Sequence, residues 1–424
     1  MNETETPPVA PDTPAPLSIR GVRFADGSVG DLYTANGVLV AAPVPGAEVI
    51  AGAGLIALPG LVDPHTHLRE PGNEMAETIA TGTLAAARGG FSCVLAMPNT
   101  TPATNGVPEA LGILQRASAS AHAQVVPIGA VTYERAGERL ADISGMAASP
   151  ARVRVFSDDG ACVMNADLLR EALALVATFD GVIAEHAQDA QLAGAAACCG
   201  ASVAHCDALG LPTWPREAEW RIVARDIRLA AETAAHIHIC HVSTKESLEL
   251  IREAKARGVR ITAEAAPHHL LFSTDYLAAQ ADNTVDTRYK VNPPLRPDAD
   301  VQALRAAVVD GTVDMIGTDH APHTPRDKQQ PFPQAAPGMV GLEQALGVVI
   351  EVLVNPGHIG WADVARLMSY APAQLAGLSE QGQPLQVGAP ANIVLIDPTR
   401  RITVNRDHTA SLSRNNPYHG LELP

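Results

Sequence analysis

Between Leu61 and Asp319 the chain alternates short apolar runs with longer Ala- and Leu-rich stretches, which predicts β-strands separated by α-helices. Eight runs read as strands: Leu61–His65, Phe91–Met97, Gln124–Ala130, Val153–Ser157, Gly181–His186, His236–His241, Val259–Glu264 and Val313–Asp319. Glu77–Arg88, Ala166–Ala177 and Lys245–Arg257 carry a helical pattern between them, and the doubled Gly89-Gly90 reads as a helix stop. Eight is the number of strands a closed barrel needs, so the predicted fold is α/β, a (β/α)8 barrel of the TIM type.

The ends of the chain have a different texture. From Leu17 to Leu58 short apolar runs such as Ser18–Phe24 and Gly37–Val40 alternate with Gly and Asp turns, and Gly388–Asp397 and Arg401–Val404 read as strands near the other end. Both strand-rich ends are expected in one small β domain, with residues 17–58 and 379–424 flanking a barrel of residues 59–378. Residues 1–16 are rich in Pro, Thr and Glu and offer too little apolar surface to repay ordering, so a disordered tail is expected.

Charge and composition narrow the function. A formal net charge of -16 without a basic run argues against nucleic acid and anionic membrane as partners. No apolar run reaches the length of a membrane span. Six cysteines in a chain of this length do not suggest a disulfide framework, and no secretory signal opens it, so a cytoplasmic setting is expected.

Chemistry gathers at the ends of the predicted strands, where barrels of this type carry their active sites. His65 and His67 are one residue apart on an extended segment and share a face, so both can reach one metal ion. Strand four runs into Asp158-Asp159, strand five ends in Glu185-His186, strand six in Cys240-His241 and strand eight in Asp319-His320. Four histidines and two carboxylates are too many ligands for one tetrahedral zinc but suit two metals bridged by a carboxylate and a hydroxide. Arg69, just past the metal pair, is suited to a planar carboxylate. Other residues read more plainly: Cys198, Cys199, His205 and Cys206 lack zinc-ligand spacing, and His268-His269, which could touch the site from just after strand seven, are left out of the ligand set. His236 and His238 alternate with His241 and are expected to face the helix layer.

The segments His65–Gly72 (HTHLREPG), Met97–Thr100 (MPNT), Phe156–Gly160 (FSDDG), Asn292–Arg296 (NPPLR) and Gly317–His323 (GTDHAPH) closely resemble dihydroorotases of the amidohydrolase superfamily. The resemblance implies a (β/α)8 barrel with a β-sandwich built from both chain ends and a site holding two zinc ions. It implies the reversible cyclisation of N-carbamoyl-L-aspartate to L-dihydroorotate, a step of pyrimidine synthesis. By the same resemblance His65, His67 and Asp319 hold the buried metal and His186 and His241 the more exposed one, with Asp319 as general acid and base.

Many relatives bridge the metals with a carboxylated lysine on strand four, and this chain has none there. It resembles the branch in which an aspartate serves. Alternation selects Asp159, on the face of Val153, Val155 and Ser157, and Asp158 stays open as the alternative. The family pattern puts Arg69 and Asn99 on the substrate carboxylate and Asn292 and His323 on the same ligand. The Pro-rich loop after strand eight would act as a lid, with Pro337 and Gly338 offering backbone groups to the ring. Two alternatives stand beside this reading: a hydrolase of another cyclic amide, such as a hydantoin or dihydropyrimidine, and a scaffolding or partner-dependent homologue bound to aspartate carbamoyltransferase. Oligomeric state is open.

Overall fold

The structure is a computed structural model describing residues 14–195, 197–278, 280 and 284–424. The tail expected over residues 1–16 falls outside the described residues as far as residue 13. Five strands come first: β1 (Leu17–Phe24), β2 (Val29–Ala35), β3 (Val38–Val40), β4 (Glu48–Ala51) and β5 (Ile56–Pro59). β1, β2 and β3 pair antiparallel in succession, while β4 and β5 run parallel to β1.

Eight strands then follow close to the positions of the apolar runs: β6 (Leu61–Thr66), β7 (Phe91–Ala96), β8 (Gln124–Pro127), β9 (Val155–Phe156), β10 (Val182–Glu185), β11 (His236–Ile239), β12 (Ile261–Ala265) and β13 (Met315–Ile316). β6–β7–β8 form one parallel sheet and β9–β10–β11–β12–β13 another. Parallel bridges from Gly129 to Phe156 and from Thr66 to His320 join the two sheets.

Helices occupy the connections, and their sequences explain their limits. Thr78 caps the helix Ile79–Arg88 by accepting from the Thr81 N–H, and at Gly89 a β-carbon would lie 2.2 Å from the Leu342 carbonyl oxygen, so only glycine ends the helix there. In Ala166–Ala177 the buried residues Leu169, Ala172, Leu173 and Val176 recur at helical spacing, and Asn165 caps the start. Outward-facing strand residues such as Leu61, Val94, Phe156, Ile183, Ile237 and Ile239 join the core under these helices. The intervening Val62, Cys93, Leu95, Val155, Val182, Ala184 and Met315 form a second core on the opposite face. The period of two is therefore expressed as two separate apolar layers.

Near the C-terminal end β14 (Ile393–Ile396) pairs antiparallel with β5, so both ends of the chain contribute to one six-stranded sheet. The run Arg401–Val404 does not join it. Its strand, β15 (Ile402–Thr403), pairs instead with β16 (Glu422–Leu423), and residues 411–418 between them lie against the segments after β6 and β13. There the Ser411 hydroxyl donates to Glu77, and Asn415 Nδ2 donates to the Ala321 carbonyl at 2.9 Å.

Candidate metal centre

The strand ends bring four imidazoles round one carboxylate. Asp159 Oδ1 lies 3.4 Å from His65 Nε2, 3.3 Å from His186 Nδ1 and 3.4 Å from His241 Nε2, while its Oδ2 lies 3.2 Å from His67 Nε2. Asp319 Oδ1 stands 3.2 Å from His67 Nε2 and 3.6 Å from His65 Nε2. All six side chains are buried. Burial alone would raise the Asp159 carboxyl, yet His65, His186 and His241 hold it well below the usual carboxylate range.

Neighbouring acceptors set which ring nitrogen faces inward. His65 Nδ1 points at Glu264 Oε1 at 2.6 Å, His67 Nδ1 at Asn99 Oδ1 at 2.9 Å, and His186 Nε2 at Gln188 Oε1 at 2.8 Å. Each acceptor suits the N–H of its ring, which leaves the opposite nitrogen facing Asp159, where it can hold a proton or offer its lone pair to a metal ion. His65 Nε2 is buried without a hydrogen-bond partner among the described residues, and His186 Nδ1 and His241 Nε2 face each other at 3.0 Å. Lone pairs so crowded need a positive centre between them, a proton or a metal ion. Two donor sets, His65–His67–Asp159 and Asp159–His186–His241, have ligand atoms within 4.8 Å of one another and share the aspartate. The residues present fit a metal.

A third set, His65–Cys240–Glu264, fits poorly. It would use the His65 nitrogen already committed to Glu264, and burial pushes the Cys240 thiol up, which keeps it protonated.

Strand alternation breaks just past β6, β11 and β13. His241 and Asp319 have φ of 33° and 46°, and Arg69 has 60°, in the left-handed region that L residues seldom adopt. One such residue reverses the side-chain direction that a strand would continue. His238 accordingly faces Glu264 Oε2 at 3.2 Å, not the helix layer expected for it, and His236 meets Thr262 Oγ1 at 2.9 Å. Asp158 turns away from the histidines to accept from the N–H groups of Val131 (2.9 Å) and Thr132 (3.0 Å) and from the Thr132 hydroxyl.

The other candidate residues are tied in by hydrogen bonds of their own. Arg69 gives its Nε hydrogen to the Pro322 carbonyl at 3.1 Å, and its terminal nitrogens have no partner among the described residues. Its acidic neighbours are engaged elsewhere, Glu70 with the Ile79 N–H at 2.8 Å and Glu74 with the Gly72 N–H at 2.9 Å. Burial pushes the guanidinium down to about 10. Asn292 Nδ2 donates to Gln188 Oε1 at 2.8 Å, and His323 Nε2 meets the Pro337 carbonyl at 2.8 Å. Burial and the Arg69 charge take His323 down to about 3, so its ring is neutral. The Gly338 N–H is already given to the Lys290 carbonyl at 2.9 Å, and its own carbonyl accepts from Lys328 and Asn415, both at 3.1 Å.

Several participants carry little signal in the chain. Glu264, a lone acid inside an apolar run, accepts from His65, His238 and the His241 N–H. Arg135 Nη1 donates to the Asp159 carbonyl at 2.7 Å, and Asp63 accepts from the Thr318 N–H at 2.8 Å beside Asp319. His269, given no metal role from the sequence, holds the Pro293 carbonyl at 3.0 Å next to Asn292.

Residues 54–247 match the family described as dihydro-orotase-like. The chain is 48% identical to the dihydroorotase of Leifsonia xyli subsp. xyli over 410 residues, covering 96% of this chain and 92% of that one. It is 46% identical to the Streptomyces coelicolor dihydroorotase, covering 96% and 94%, and 44% identical to that of Mycobacterium tuberculosis, with the same shares. Among solved structures it resembles L-hydantoinase (dihydropyrimidinase) from Arthrobacter aurescens at a TM-score of 0.83 and 23% identity, covering 96% of this chain and 92% of that one. Dihydropyrimidinase from Brevibacillus agri NCHU1002 follows at 0.82 and 22%, with the same shares. At such identity these structures speak to the fold alone, which is consistent with an α/β barrel of the TIM type. By its relatives along nearly its whole length, the chain belongs to the dihydroorotase family and is a cyclic amidohydrolase.

Proposed function

We propose that the chain interconverts L-dihydroorotate and N-carbamoyl-L-aspartate at two zinc ions. His65, His67 and Asp319 would hold one ion, His186 and His241 the other, and Asp159 would stand between them. The observation that carries this reading is the pair of donor sets sharing Asp159, with Arg69 beside them. When bound, the metals supply Lewis acidity, which polarises the amide carbonyl and makes water a stronger acid near neutral pH.

The protein groups do the rest. Arg69 turns free N–H groups toward the substrate carboxylate, and the unshared amide hydrogens of Asn99 can join it, since its Oδ1 is held by His67. Asn292 and neutral His323 contact the same ligand, and Pro337 and Gly338 form the wall behind it. Asp319 directs Oδ1 at the histidines and leaves Oδ2 without a protein partner among the described residues. Its carboxylate takes a proton from water as the oxygen bonds to the ring amide carbon. It then returns that proton to the ring nitrogen as the carbon–nitrogen bond breaks. Ring closure runs the same path backwards with loss of water.

Arg69 weighs against a hydantoin or dihydropyrimidine substrate, because a ring without a carboxylate would leave a desolvated guanidinium unpaired. A purely scaffolding role beside aspartate carbamoyltransferase would leave the donor set without a use. Within this reading the eight parallel strands close as a (β/α)8 barrel over residues 59–378, supported by the bridges at Gly129 and Thr66. Residues 17–58 and 379–424 would make up the β-sandwich domain; the β5–β14 pairing supports this as far as Ile396, while residues 411–418 lie against the barrel. A cytoplasmic setting agrees with six free thiols, five of them buried. Among the described residues no helix is long and apolar enough to cross a membrane.

The test is a metal count on the purified full chain beside rates on dihydroorotate and dihydrouracil. Two zinc ions and a preference for dihydroorotate are expected, and a preference for dihydrouracil would sink the assignment. Glu264→Gln should loosen zinc by about 10–100-fold, because it removes the charge that orients His65. Chelator competition measures this, and affinity equal to wild type would remove Glu264 from the site.

A further inference from the structure

Behind the proposed substrate wall lies a buried cation that the reaction does not use. Lys328 is 5% exposed, and its ammonium donates to three main-chain carbonyls: Lys290 at 3.2 Å, Ala336 at 2.9 Å and Gly338 at 3.1 Å. Three donors thus meet three acceptors, with no carboxylate in salt-bridge range among the described residues. Desolvating an ammonium is costly, and burial together with the Lys290 charge pushes Lys328 down to about 7.

The carbonyls belong to different segments. Lys290 precedes Asn292 in the connection after β12, whereas Ala336 and Gly338 lie in the connection after β13 that also carries His323. The Lys290 carbonyl receives the Gly338 N–H as well, at 2.9 Å, and the Lys290 ammonium crosses back to the Pro333 carbonyl at 2.7 Å. Thr287 adds a hydroxyl bond to the Lys328 carbonyl at 2.7 Å. On the site side the bonds continue from Pro337 to His323 and from Asn292 through Gln188 to His186.

We propose that Lys328 is a positioning residue, its ammonium pinning the segment of His323, Pro337 and Gly338 to the segment of Asn292 and so fixing the substrate wall opposite the metal ligands. The inference rests on the dihydroorotate reading for what the wall binds. Of the proposed metal ligands His186 meets this network, through Gln188, while the hydrogen bonds of His65, His67, Asp159, His241 and Asp319 among the described residues lie outside the two pinned segments. Losing the pin therefore blurs binding more than chemistry.

Lys328→Met keeps the stem and removes the donors, while Lys328→Arg keeps donors to carbonyls. Expected for K328M are a KM for dihydroorotate raised by about tenfold, kcat within about twofold of wild type and full metal content, with K328R recovering part of the KM. An unchanged KM in K328M would overturn the proposal, as would kcat, metal content and melting temperature falling together, or K328R recovering nothing. A wild-type chain inactive on dihydroorotate would instead sink the functional reading. The pin is then read by proteinase K cleavage within residues 325–336 at a temperature where both chains are folded: faster cleavage in K328M supports it, and equal rates overturn it.

Discussion

Replacing Asp319 by asparagine is expected to lower kcat for dihydroorotate by about 10³-fold, the size of a lost general acid–base group, with zinc content close to that of wild type. The substitution is well matched to the site. Asparagine keeps the size and one carbonyl oxygen that can face His67, as Asp319 Oδ1 does at 3.2 Å. It also tolerates the left-handed backbone, with φ of 46° at this position, better than most residues. What it loses is the basic oxygen proposed to accept and return the proton. Four histidines and Asp159 remain to hold metal, so rate and metal content should separate. Turnover in both directions, measured beside zinc content, checks this. A variant within tenfold of wild type, or one that loses zinc in proportion to activity, would remove the proton-transfer role.

The contrast between Asp319 and its surroundings also shows how far the chain could be read by pattern. The apolar runs locate all eight parallel strands because burial on both faces leaves a dense local signal. His65, His67 and Asp159 are legible because they lie in, or just past, extended segments where the period of two still holds. At His241 it fails: extrapolating the strand sends His238 to the helix layer, but the left-handed turn at His241 brings a residue of opposite parity inward. The supporting groups are harder still, since their partners are remote in sequence. Nothing local to Asn415 or Lys328 reports that they hold carbonyls of Ala321, Gly338 and Lys290. Glu264 alone left a trace, as an acid in an apolar strand.

The two adjacent aspartates allow a sharper test, because they differ in what they touch and not in their burial. Asp159→Asn removes the charge at the centre of four imidazoles, where each carboxylate oxygen faces a ring nitrogen. In the proposed two-metal reading the substitution takes away the anion shared by both positions, and with it the transition-state stabilisation that depends on both. A deficit of several kcal/mol corresponds to about 10³-fold or more in rate, with zinc falling below two per chain. Asp158→Asn instead weakens the bonds to the Val131 and Thr132 N–H groups and to the Thr132 hydroxyl, none of which touches the histidines. Its cost should be about 1–3 kcal/mol of stability, with zinc content retained. Zinc analysis and thermal melting of the pair separate these effects. If Asp158→Asn sheds zinc while Asp159→Asn keeps it, the bridge belongs to Asp158, and the inward set of ligands must be redrawn around the Thr132 side of strand β9.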